Sequence, residues 1–216
     1  MRGDIIPNDD RWIYDWMDWE ATSPADIKAA IDGLKQGETL TVLINSGGGS
    51  VMAAQEIYSM LHGRQDVEIQ IQSMAGSAAS VIAMANRSEI SPVAMLMIHN
   101  VSMSGASGDY HAMQKNAEIL KQMNAALASA YVAKTGKTEE EILKMMDRET
   151  WINANQALEF GFVDAIAQDN AVMVNAAAGM RLTDEIRQQV MAEKHARDQA
   201  EEEKKQLLSD LDLYGI

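Results

Sequence analysis

Thr39-Leu40-Thr41-Val42-Leu43-Ile44-Asn45, then Ser46-Gly47-Gly48-Gly49-Ser50, then Val51 to Leu61 carry the chain from strand through turn to helix. The first seven residues are mostly aliphatic or β-branched and carry no charge, as in a strand buried on both faces. The glycines break that run. Apolar residues then return at helical spacing through Ala54, Ile57, Tyr58 and Leu61. The order recurs downstream. Val67 to Gln72 reads as a strand, Ala75-Gly76-Ser77 as its turn, and Ala78 to Ala85 as a helix of small residues. Ala94 to Ile98 reads as a third strand that ends at His99-Asn100. Strand, turn and helix repeated in this way predict an α/β fold on a parallel sheet with crossover helices.

Outward from this centre, Trp12, Tyr14, Trp16 and Trp19 recur at every second or third position. They predict a short strand or extended arm over residues 1–22, packed on the core or on a neighbouring subunit. Ser23 and Pro24 mark a helix start, and Ile27, Ala30, Ile31 and Leu34 continue it to Gly37. Asp109 to Lys134 reads as one long helix. Gly136 stops it, and Thr138 with Glu141 forms a capping box for the next. A further helix is expected from Asn155 to Phe160 and a last strand from Phe162 to Ala167. After Gln168 the composition shifts. Residues 1–168 are therefore read as one domain and 169–216 as a charged, helical tail. Mixed Glu, Lys and Arg from Leu182 to Leu208 suit an exposed helix, and the apolar run from Leu207 to Ile216 suits a docking segment.

Composition excludes several classes. Among 216 residues, 18 Lys and Arg stand against 32 Asp and Glu, a net charge of −14 that would repel a phosphate backbone. There is no cysteine, hence no disulfide, thiolate metal site or Cys nucleophile. No apolar run is long enough to span a bilayer, and the start is polar, so the expectation is a cytoplasmic protein with no membrane or nucleic-acid partner. No cofactor or metal is expected.

Three features lie at the carboxyl ends of predicted strands, where open α/β sheets place their sites. Gly47-Gly48-Gly49 opens a helix, and glycines let backbone N–H groups point at an incoming oxygen. Val51-Met52 stand where a phosphate loop needs Lys-Ser/Thr, so an oxyanion hole fits better than a nucleotide site. Gly76-Ser77-Ala78-Ala79-Ser80 offers two serines. Ser77 is the natural N-cap, while Ser80, inside the helix, is read as an exposed nucleophile. His99 sits at a strand exit, where either a rigidly held general base or a structural histidine is at home.

Four motifs in this order resemble the proteolytic subunit of the caseinolytic (Clp) protease and its phage-encoded relatives over Trp12 to Gln168. They are Ile44-Asn45-Ser46-Gly47-Gly48-Gly49, Gly76-Ser77-Ala78-Ala79-Ser80, Met97-Ile98-His99-Asn100, and Ala157-Leu158-Glu159-Phe160-Gly161-Phe162-Val163-Asp164. The resemblance implies a Clp- and crotonase-like spiral of βαβ units with a long handle helix. It implies a serine endopeptidase with Ser80 as nucleophile, His99 as base, and Gly48 and Val81 N–H groups as oxyanion hole. The acid aligned two residues before Trp151 is Glu149, where the family has aspartate; Asp147 is held in reserve. Gly47 stands where the family commonly has proline, and Ser77 where it commonly has glutamine. The partners implied are a polypeptide substrate and further copies in a ring, a heptamer or double heptamer. A Clp-type ATPase or phage capsid and scaffold proteins would join them, the glycine, the acidic start and the charged tail pointing to phage head maturation. A crotonase-type acyl-CoA enzyme and a non-catalytic assembly protein are the rival readings.

Overall fold

The computed structural model describes residues 1–168 and 182–213, with side chains of the second stretch to residue 205. The expected domain boundary and the side chains of the apolar closing run lie outside the described residues. Residues 1–180 and 181–216 form two compact units.

The core of the first unit is β3 (Leu40–Gly49), α3 (Val51–Leu61), β4 (Val67–Gly76) and α4 (Ala78–Ala83), the strand–turn–helix order expected from sequence. β3 and β4 pair in parallel from Leu40↔Val67 to Ile44↔Ile71, and their inward residues Val42, Ile44, Ile69 and Ile71 are buried. β3 runs on through the glycines instead of stopping at Asn45, because another strand pairs with it there. That strand is β1 (Arg2–Ile5), which sets Asp4 opposite Gly48 and Ile5 opposite Gly49. On its other side β1 pairs with β2 (Ala21–Thr22).

The arm expected at residues 1–22 is only partly extended. Between β1 and β2 the chain forms α1 (Arg11–Trp16), which buries Ile13 and Tyr14. The tryptophans at 12, 16 and 19 fit helical spacing as well as alternation, and the short run does not separate the two periods. α2 (Pro24–Asp32) starts as expected, with Pro24 in its first turn and the Asp26 carboxylate accepting from the Ser23 N–H at 2.8 Å.

β4 forks the sheet. Its first half, Ile69 to Ile71, pairs with β5 (Ser88–Ile90), and its last three residues, Met74 to Gly76, pair with β6 (Met95–Ile98). β6 in turn pairs antiparallel with β7 (Thr150–Asn153), an element the sequence did not announce. α5 (Tyr110–Thr135) is capped by the Asp109 side chain, which accepts from the Ala112 N–H at 3.0 Å. Its buried residues all lie in the second half, Leu127, Ala128, Ala130 and Tyr131. The first half leaves Tyr110, Met113 and Ile119 exposed. α6 (Glu139–Asp147) carries the expected Thr138–Glu141 capping box. α7 (Ala154–Glu159) follows, and the last strand shortens to β8 (Ala165–Ile166), paired with β5.

Asp164, just before β8, ties three elements together. Its carboxylate accepts from the Ser88 N–H at 2.7 Å and from the Lys134 ammonium, which also reaches Asn86 O at 2.9 Å. Burial would raise its pKa, but Lys134 and the Ser88 N–H outweigh burial and hold it below the usual carboxylate value. A carboxyl whose folded pKa is depressed stabilises the fold above its unfolded pKa, about 4. That contribution is lost as pH falls through the lowered folded value. Asp164→Asn should therefore flatten the acid limb of stability against pH, read as urea midpoints between about pH 6 and pH 2. An unchanged slope would remove Asp164 from the acid sensitivity.

The second unit is α8 (Asp184–Leu213), one helix of 30 residues. Lys194–Asp198 at 2.8 Å and Glu201–Lys205 at 4.0 Å are exposed i,i+4 pairs, each worth a few tenths of a kcal/mol. Among the described residues no helix is long and apolar enough to cross a membrane.

Candidate active site

The fork in β4 carries two catalytic-type side chains to one place. Gly76 pairs with Met97, and the Ser77 N–H donates to Met97 O at 2.9 Å. Each strand then ends, β4 one residue before Ser77 and β6 one residue before His99. The His99 imidazole Nε2 and the Ser77 hydroxyl Oγ stand 2.7 Å apart. Ser77 holds φ 51° and ψ −125°, a left-handed backbone that costs a non-glycine residue about 1–3 kcal/mol. Such a sharp strand-to-helix corner is how α/β hydrolases lift a nucleophile clear of the sheet.

The structure sets Ser77, not the expected Ser80, beside the imidazole. Ser80 lies one turn further on, inside α4, and that turn rotates its side chain into the core. It is fully buried, its hydroxyl donates to Ser77 O at 2.6 Å, and it lies 2.7 Å from the Tyr131 hydroxyl. His99 makes no hydrogen bond to it among the described residues. Ser77 does occupy the N-cap position, as expected, but its side chain makes no capping bond and faces the imidazole instead.

The backbone N–H groups next to the two serines differ as well. Val81 is 2% exposed in the interior of α4, where its N–H belongs to the helix ladder. Ala78 follows Ser77 as the first residue of α4, so its N–H has no intrahelical acceptor. Gly48 lies against both. A Cβ built on Gly48, at φ 115°, would fall 2.7 Å from Ser77 Cβ and 3.1 Å from Ala78 N, so only glycine fits there. Ser46 anchors the turn by donating to Gly3 O at 2.6 Å and accepting the Gly48 N–H at 3.2 Å.

The acids are placed less directly. The antiparallel β6–β7 register pairs Ile98 with Thr150, and the residues next out from that pair are His99 and Glu149. Glu149 has φ 50°, and its Oε1 accepts from the Trp151 indole at 3.1 Å rather than from the imidazole. Asp147 accepts from Asn100 Nδ2 at 2.8 Å. Neither carboxylate hydrogen-bonds His99 in the isolated chain. Among the described residues no group of three or more His, Asp or Glu is placed to hold a metal ion.

The model of the Clp protease family matches residues 25–170. The chain belongs to the Clp protease family. It is 30% identical over 165 residues to the ATP-dependent Clp protease proteolytic subunit 1 of Corynebacterium glutamicum, covering 73% of this chain and 79% of that protein. The corresponding subunit 1 of Chlamydia muridarum is 30% identical over 177 residues, 76% of this chain and 91% of the relative. Subunit 2 of Tropheryma whipplei is 34% identical over 133 residues, 60% of this chain and 73% of the relative. The span matched to the Clp protease family contains Ser77, His99 and Glu149 and excludes α8. Membership makes the chain a peptidase and sets aside the acyl-CoA reading.

Proposed function

We propose that the protein is a serine endopeptidase in which Ser77 is the nucleophile and His99 the general base. The observation that carries this is the 2.7 Å approach of Ser77 Oγ to His99 Nε2 at a strained strand-to-helix corner. Ser77 Oγ attacks the peptide carbonyl while His99 takes its proton, then returns it to the leaving amine. The Ala78 N–H and the Gly48 N–H hold the tetrahedral oxyanion; for Gly48 this means exchanging its long bond to Ser46 for the substrate oxygen. Glu149 orients the imidazole once its side chain leaves the Trp151 indole. Water repeats the same steps to release the acyl group. A fluorophosphonate probe should label Ser77, located by peptide mass spectrometry; labelling of Ser80 would overturn the assignment.

The substrate is polypeptide, and the setting we favour is processing of phage head and scaffold proteins. Gly47 in place of proline, the Asp9-Asp10 start and the charged helix α8 support it. A ring of copies, a heptamer or a pair of heptamers, is part of the same reading. The first half of α5 supports it, with Tyr110 72% and Ile119 40% exposed on a segment that buries no residue among the described ones. Sedimentation at micromolar concentration should show a multiple of the 23.7 kDa chain, and a purely monomeric profile would defeat the ring.

A further inference from the structure

Ser80 and Tyr131 are two hydroxyl-bearing side chains in the core, 0% and 2% exposed, that the proposed chemistry does not touch. Their bonds have a forced direction. Ser80 has one hydroxyl proton, and at 2.6 Å it is given to Ser77 O, which can only accept. The proton in the 2.7 Å contact between Ser80 and Tyr131 therefore comes from the phenol. Tyr131 donates to Ser80, and Ser80 donates to the carbonyl of Ser77. The Ser80 N–H reaches the same carbonyl at 3.0 Å, so Ser77 O accepts twice from one residue. Burial pushes the Tyr131 phenol well above its usual pKa, which keeps it a donor wherever the protein is folded.

Packing alone does not call for these hydroxyls. Ser80 stands among Ala78, Ala79 and Ala83 in α4, where alanine would fit. The Tyr131 ring packs edge-on against Phe162, centroids 6.0 Å apart, a contact phenylalanine would keep. What the hydroxyls reach is the peptide unit of the one residue at this corner with a left-handed backbone. We infer that Tyr131 and Ser80 are positioning residues: the chain phenol, hydroxyl, carbonyl clamps the peptide after Ser77 and holds its Oγ on His99 and the Ala78 N–H toward the oxyanion. This rests on Ser77 being the nucleophile.

The test compares Tyr131→Phe, Ser80→Ala and the double variant with wild type. Readouts are the second-order rate of fluorophosphonate labelling at Ser77, kcat and KM on a fluorogenic peptide, and the melting temperature. Ser80→Ala leaves a buried phenol without an acceptor and should lower the melting temperature; the double variant, with no hydroxyl left unpaired, should recover it. Activity should not recover with it. Small displacements of a reacting atom are costly, so labelling and kcat should fall roughly ten- to a hundredfold in both Ser80→Ala and the double variant, with KM unchanged. Tyr131→Phe should lose less, since Ser80 still reaches Ser77 O. A double variant that labels at the wild-type rate overturns the clamp, as does activity that returns in step with the melting temperature. If Ser80→Ala alone fails to fold, the double variant decides. Wild type labelled at a residue other than Ser77 would sink the nucleophile assignment, and the clamp with it, before any variant is compared.

Discussion

Ser77→Ala is expected to abolish peptide cleavage, with a loss on the order of a millionfold in turnover and no covalent labelling. The hydroxyl at this corner lies 2.7 Å from the imidazole and can form an acyl bond, and alanine offers nothing in its place. The fold should survive. The substitution keeps a Cβ in the same left-handed conformation, and the Ser77 N–H bond to Met97 O is made by the backbone. Ser80→Ala provides the contrast. It should leave a slower enzyme that still labels at Ser77, because its hydroxyl points away from His99 toward the core. Near-normal cleavage by Ser77→Ala would return the nucleophile to Ser80.

Glu149→Gln should be the second-largest loss, roughly ten-thousandfold in kcat, as expected when a neutral amide replaces the carboxylate that orients a catalytic histidine. Asp147→Asn should change kcat by no more than a few-fold. The β6–β7 register favours Glu149, which follows the Ile98–Thr150 pair as His99 does on the facing strand. Cross-strand neighbours at such positions lie about 5 Å apart at Cα, within reach of a glutamate stem. Asp147 is already committed to Asn100 at 2.8 Å, and its amide should keep most of that bond. The reverse ranking of the two variants would give the orienting role to Asp147.

The strand–turn–helix order, the long helix and the Thr138–Glu141 cap were legible because each is written in local residues whose spacing has one physical reading. The choice between the two serines shows where that ends. Gly76-Ser77-Ala78-Ala79-Ser80 places a serine on both sides of two alanines, and residue types alone do not tell which is at the corner. That depends on where β4 stops. The sheet carries β4 to Gly76, beyond the expected Gln72, because β6 pairs with its last three residues. The strand end expected at Gln72 would have put Ser73 at the corner, so Ser77 becomes legible only once the β4–β6 pairing is known. β1 and β7 were illegible for a related reason. Arg2–Ile5 and Thr150–Asn153 are four residues each, and partners far along the chain make them strands.

Because β4 and β6 deliver Ser77 and His99 from neighbouring strand ends, their separation is quantised. A paired strand holds its register or slips by a whole residue, about 3.3 Å along its axis, with every side chain turned to the opposite face. Changes in the β4–β6 ladder should therefore switch the site on or off, with no partially aligned state between. Strain arriving from the helical side meets no such step. A helix can shift by fractions of an ångström, so substitutions along the buried half of α5 should tune the rate continuously. The sheet then works as a detent and the helix as a fine adjustment, and directed variation meant to grade this enzyme's speed belongs on the helix.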